Sequence, residues 1–356
     1  MNTKTLLLSS LASISLLAYS CKDKNAAAEK EVAPQTTTEE VATKKYPSDV
    51  LPDLDKWKIL LGDGTKQKKL NNYEKDGFFY VTEENGSDWV VFKTPNSGVT
   101  SKNSHNTRSE MGQKYRWISE TGGKLTGTCK VQHVSTSGDA RVAAAYSVVV
   151  GQIHSEEGHK NEPLKIYYKK FPGHTKGSVF WNYEINTAGE SNAKRWDYSQ
   201  SVWGHDFSVV GTAPDAYPAE PKNGIALGEE FSYEVLVEKG IMYLTFTSEG
   251  HQTIKFTKNL LVSDFDTKEK LPQQIKTLYA SLGRDGAERA NAYAGEKQFF
   301  KLGAYNQANG GNPEENIVWS TGSNIYGQDI EKQYANGSYA EVWFKSSSLI
   351  ENQVAE

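Results

Sequence analysis

Residues 78–82, 89–92, 142–153, 164–168, 179–183, 231–246, 299–305 and 339–344 alternate in polarity or are dense in β-branched and aromatic side chains. Each run is bounded by Gly, Asn, Asp or Pro. Runs of this kind suit a pleated surface buried on one or both faces. Helical periodicity is confined to one short stretch, residues 262–279, so a helical bundle is excluded. The clearest hairpin is 231–246, with Gly240 at its turn. No repeat of fixed length is visible. The predicted fold class is therefore all-β, two curved antiparallel sheets packed face to face as a sandwich or β-jelly roll with one concave face.

The ends of the chain differ from its body. Met1 to Lys4 precede an apolar run from Leu6 to Leu17 and the small-residue stretch Ala18-Tyr19-Ser20 before Cys21, the order of an export signal. A cysteine at that point resembles the cleavage and acylation site of a bacterial lipoprotein. Cys21 is accordingly expected to carry lipid and anchor the protein to the outer membrane, exposed at the cell surface. Cys129 would then have no disulfide partner in the chain. Residues 21–46 hold Ala, Thr, Glu and Lys without an apolar period and read as a disordered tether. Residues 47–356 are left as one large β domain, expected to be monomeric. Forty basic against forty-four acidic side chains give no global cationic field, which argues against nucleic acid as a partner.

Three short constellations carry polar side chains on strands. In Thr107-Arg108-Ser109-Glu110-Met111, Arg108 and Glu110 face the same way, so a carboxylate can hold a guanidinium that presents its fork to an anion. In Val148 to His154, Gln152 and His154 share a face of an otherwise apolar strand. In Gln298 to Gln307, Lys301, Gly303, Tyr305 and Gln307 alternate with the apolar Phe300, Leu302 and Ala304, and Gly303 clears space for something to approach the backbone. Taken singly, each also fits a plain structural role: a surface ion pair, a hydrogen-bonded core histidine, a half-exposed strand.

Taken together and in this order, Arg-Ser-Glu-Met, Gly-Gln-Ile-His and Phe-Phe-Lys-Leu-Gly-Ala-Tyr-Asn-Gln resemble the signature segments of alginate lyases of polysaccharide lyase family 7. The likeness extends over roughly residues 48–348, through 95–100, 164–168 and 227–233. It implies a jelly roll whose concave groove carries Arg108, Gln152, His154 and Tyr305 as the catalytic set. Glu110, Lys301 and Gln307 are implied as substrate-binding neighbours. One departure stands out: the family's first motif usually continues with a second Arg and a Glu, whereas Gly112 and Gln113 follow Met111 here. Lys114 or Arg116 is expected to replace the lost contact.

The implied reaction is β-elimination on alginate, a polymer of mannuronate and guluronate, with no metal and no cofactor. The C5 proton is weakly acidic while the neighbouring carboxylate is ionised, so that charge must first be masked. Arg108 and Gln152 suit this task. His154 either takes the proton or hydrogen-bonds the carboxylate, and Tyr305 protonates the leaving oxygen, serving for mannuronate also as the base. Lys301 either acts on the phenol through its charge or binds a neighbouring uronate. Ile153 in Gly-Gln-Ile-His resembles the variant associated with guluronate-containing blocks. The long connections 186–223 and 306–337 read as walls that close one end of the groove, which favours exolytic cleavage. A non-catalytic glycan-binding module of the same fold is the rival without chemistry. A jelly-roll glycoside hydrolase would need two spaced carboxylates, for which Asp264, Asp266 and Glu269 are the nearest candidates.

Overall fold

The structure, a computed structural model, describes residues 44–102, 104–156, 161–185, 196–264, 270, 273, 292–322 and 327–351. Cys21, Asp266, Glu269 and most of the expected helix 262–279 lie outside them.

In chain order the strands are β1 (Trp57–Leu60), β2 (Lys66–Gln67), β3 (Phe79–Glu84), β4 (Ser87–Pro95), β5 (Arg108–Gln113), β6 (Trp117–Ile118), β7 (Gly123–His133), β8 (Ser147–Ser155) and β9 (Leu164–Lys169). They continue as β10 (Lys176–Ile185), β11 (Trp196–Trp203), β12 (Ile225–Ala226), β13 (Phe231–Glu238), β14 (Ile241–Ser248), β15 (Ile254–Asn259), β16 (Lys297–Asn306) and β17 (Tyr339–Glu351). Among the described residues, two short α-helices, α1 (Pro47–Val50) and α2 (Ile330–Asn336), flank the sheets. One sheet runs β11-β10-β9-β8-β16-β5-β1-β2, with β12 and β6 attached at its side. The other runs β15-β14-β13-β7-β17-β4-β3. Every pairing is antiparallel, and one hydrophobic core including Met111, Phe300, Leu302, Tyr233 and Phe344 lies between the sheets. This is the expected jelly roll.

The β13–β14 hairpin shows why the strand signal was strong. Burial alternates residue by residue along both strands, so one apolar face meets the core and the polar face meets water. The turn at Lys239-Gly240 places both residues at positive φ, 51° and 78°, as a two-residue hairpin of matching twist requires.

Three expectations change. The run 142–153 is a strand only from Ser147; before it the chain turns, with the Ser147 hydroxyl donating to the Ala144 carbonyl at 2.7 Å. The connection 186–223 contains β11, which pairs with β10 along its length. The central strand β7 gave no apolar signal because it turns Gly123 and Gly127 inward. A Cβ on Gly127 would stand 2.7 Å from the Tyr233 ring, so that ring fills the space a side chain would otherwise occupy. Cys129, also on β7, is a buried free thiol.

Candidate active site

Strand order brings the three constellations together, because β16 lies between β8 and β5. Register then fixes the rows: Phe299 stands opposite His154, Lys301 opposite both Gln152 and Gly112, Gly303 opposite Glu110, and Tyr305 opposite Arg108. Phe300, Leu302 and Ala304 are fully buried in the core, so Lys301 and Tyr305 face the groove. Gly303 lets β16 pass close to β5. A Cβ there would lie 2.6 Å from the Ser109 carbonyl oxygen and 2.9 Å from the Glu110 Cα, at φ 142°. What approaches the backbone at Gly303 is thus the neighbouring strand and Phe92.

Glu110 is the hub. Its carboxylate accepts from Arg108 Nη1 at 3.2 Å, from Lys301 Nζ at 2.9 Å and from the Gln152 amide. Burial alone would raise the Glu110 pKa, but the charges of Lys301 and Arg108 hold it below the ordinary value. Burial, aided by Arg108, lowers Lys301 against the pull of Glu110. Arg108 is raised despite its burial, chiefly by Tyr305 and Glu110. Around Glu110 itself two cations face one carboxylate, a local positive excess that suits an anionic group, and Glu162 beside His154 offsets it further along the face. The guanidinium lies 3.8 Å from the centre of the Tyr305 ring. Ser104 joins them, its hydroxyl 3.2 Å from both Arg108 Nη2 and the Tyr305 hydroxyl.

Exposure sorts the set into two layers. Arg108, Glu110, Gln152 and Lys301 are 8, 4, 1 and 9% exposed, whereas Tyr305 and His154 are half-buried and reach the surface. Gln152 commits an N–H to Glu110 and leaves its Oε1 without a hydrogen-bond partner, as Arg108 leaves its Nε. Buried polar atoms in that state are costly unless a ligand meets them. His154 stacks on Phe299, with ring centres 5.1 Å apart. Its Nδ1 lies 2.6 Å from the Ser155 carbonyl oxygen and its Nε2 lies 3.4 Å from Glu162. Burial, then the charge of Lys301, lowers the imidazole pKa to about 3, so the ring is neutral at physiological pH.

The remaining expected contacts are placed differently. Gln307 is 2% exposed and spends its amide on the Tyr305 carbonyl and Asn106. It follows Asn306, the last residue of β16, and its N–H still donates to the Ser147 carbonyl at 3.0 Å. Lys114 donates to the Asp55 carbonyl at 2.5 Å. Arg116 clasps Glu156 at 2.6 and 2.7 Å and lies over Phe299 at 4.1 Å, the ring on which His154 stacks. Lys58 of β1 pairs with Gly112, and its Cε lies 4.0 Å from where a Gly112 side chain would begin. A cation is therefore available from the next strand where the motif lacks its second Arg. Neither Lys58 nor Ser104 had a local pattern to mark it.

Beyond Gln152 the groove face is covered. Lys165 of β9 pairs with Gln152 and lies buried between Glu184 at 2.6 Å and Asp197 at 3.1 Å, with Trp319 above it at 5.0 Å. Phe207 packs on Trp319 and on Tyr167, at 5.4 and 5.6 Å. Both aromatics come from the long connections expected to form walls.

The profile of the family described as Alginate lyase matches residues 52–351. The chain belongs to the alginate lyase family. A crystal structure of the exolytic family-7 alginate lyase AlyA5 from Zobellia galactanivorans is 72% identical, with a TM-score of 0.85 over 87% of this chain and 99% of that one. An alginate lyase of Klebsiella pneumoniae is 28% identical over 72% of this chain and 80% of its own length. A solved alginate lyase from the same organism, 22% identical with a TM-score of 0.59 over 88% of this chain and all of the other, shares the fold. Membership of the alginate lyase family and the jelly roll thus agree with the signature segments.

Proposed function

We propose that this chain cleaves alginate by β-elimination, acting from a chain end on guluronate-containing blocks. The observation that carries the reading is the meeting of Arg108, Gln152, His154 and Tyr305 around Glu110 and Lys301 on one sheet face. The cationic layer beneath would draw in a uronate carboxylate and mask its charge, with Arg108 Nε and a second Gln152 N–H as donors. The C5–H bond then breaks toward a base, its electron pair forms the C4–C5 double bond, and the C4 oxygen leaves with the proton of the Tyr305 hydroxyl. His154, neutral and half-buried at the groove surface, is the base for guluronate. Preorganised donors of this kind are each worth about 10²–10³ in turnover.

Exolytic action is supported by the Phe207–Trp319 cover over β9 and by the exolytic relative. The guluronate preference rests on the family likeness, since Ile153 is fully buried in the core. An anchor through lipid on Cys21 at the outer membrane, and a monomeric catalytic body, complete the proposal. Sizing the unsaturated products over time separates the modes. Release of the smallest products from the first minutes, while the polymer stays long, is expected; an early fall in polymer length refutes exolysis.

A further inference from the structure

We propose that Glu162 is a positioning residue for the elimination: its carboxylate, beside His154 Nε2, stabilises the imidazolium formed when His154 takes the C5 proton of guluronate. The proposal rests on the lyase reading of the site and adds a residue outside the three signature segments.

Geometry leaves His154 one choice. The Ser155 carbonyl, 2.6 Å from Nδ1, can only accept, so Nδ1 carries the hydrogen of the neutral ring and Nε2 carries the lone pair. Phe299 stacks on the ring at 5.1 Å and 27°, and the Arg116 guanidinium lies 4.1 Å from the centre of Phe299. With plane and tautomer set, Nε2 is the nitrogen that receives a proton. Its surroundings oppose the resulting charge: burial, Lys301 of β16 and Arg108 of β5 all disfavour imidazolium, while the Ser155 carbonyl and Glu184 of β10 favour it.

Glu162 Oε1 stands 3.4 Å from Nε2, with 16% of its side chain exposed. With Nε2 unprotonated both atoms are acceptors, so no hydrogen bond occupies the lone pair. The separation is short enough for a strong Coulomb attraction once the ring is protonated. The residue is also held in place. Its N–H donates to Glu184 Oε2 at 2.7 Å, and the Glu184 N–H donates to the Glu162 carbonyl at 3.2 Å. Attraction between Glu162 and the ring therefore grows as the proton leaves C5, which is when stabilisation accelerates the step.

Guluronate and mannuronate differ only in configuration at C5. In guluronate the C5 hydrogen lies opposite the leaving oxygen, where a base apart from Tyr305 is needed. In mannuronate both lie on one side, which Tyr305 serves. Glu162 should therefore matter for guluronate above all.

The test compares Glu162→Gln and Glu162→Asp with wild type on polyguluronate and polymannuronate. For Glu162→Gln, kcat on polyguluronate should fall about tenfold or more with KM within about threefold, and the ratio of guluronate to mannuronate turnover should fall at least about fivefold. Glu162→Asp should recover part of the loss, and it also keeps the test readable if the Gln variant folds poorly. An equal fall on both polymers, a loss carried by KM, unchanged guluronate turnover, or a wild type that cleaves polymannuronate alone overturns the proposal. Tyr305→Phe separates the two claims: if that variant stays active the lyase reading of the site fails, whereas if it is dead and Glu162→Gln is unaffected only the role of Glu162 falls.

Discussion

Replacing Glu110 by Gln is the most informative single change to the buried layer. The wild-type carboxylate is 2% exposed at its side chain and faces Arg108 and Lys301, which are 10 and 11% exposed. An amide of the same size removes the charge and turns an N–H toward donors that expect an acceptor. Removing one partner from a buried ionic group costs about 3–5 kcal/mol, which for a domain of this size lowers the melting midpoint by roughly 5–8 °C. The cost should depend on pH. Glu110 is the chief influence holding Lys301 up against burial, so its loss drops the ammonium further below its unfolded value. A lysine depressed in the folded state penalises folding while it must stay charged, and the penalty fades as pH rises through its folded pKa. The deficit of Glu110→Gln relative to wild type, measured by denaturant unfolding at pH 6 and pH 9, should therefore be largest at pH 6 and narrow at pH 9. A deficit under about 1 kcal/mol, or one equal at both pH values, would refute the hub reasoning.

Gly303→Ala should cost about 2 kcal/mol or more, because the new methyl meets the backbone of Ser109 and Glu110 rather than a mobile side chain; its unfolding midpoint checks this. Trp319→Ala should uncover Lys165 and open the closed end of the groove. Its early products should then shift toward longer oligosaccharides, and an unchanged product ladder would remove Trp319 from the wall.

Much of the site was legible because strand alternation is a strict rule. Arg108 with Glu110, Gln152 with His154, and Lys301 with Tyr305 each needed only a period of two to be placed on one face. What alternation cannot supply is register between strands far apart in sequence. Lys58 meets Gly112 across a gap of fifty-odd residues, and Ser104 reaches Tyr305 from a loop. Gln307 lies one residue past the end of β16, and its partnership with the Tyr305 carbonyl and Asn106 is likewise beyond what alternation can show. β7 was missed because its inward glycines hand their volume to Tyr233 and Phe300, so the apolar residues that mark its position belong to other strands. The burial of Gln152 and Arg108 beneath Tyr305 and His154 was likewise invisible, since depth is set by neighbouring strands and covering loops.

The most direct test digests alginate with wild type and Tyr305→Phe in parallel, reading products by mass after borohydride reduction of their reducing ends. Wild type should give fragments lighter by one water than hydrolysis would give, as a C4–C5 double bond requires, while the folded phenylalanine variant should give none. Fragments that have taken up a water, or water-deficient ends from Tyr305→Phe, would contradict elimination at this site.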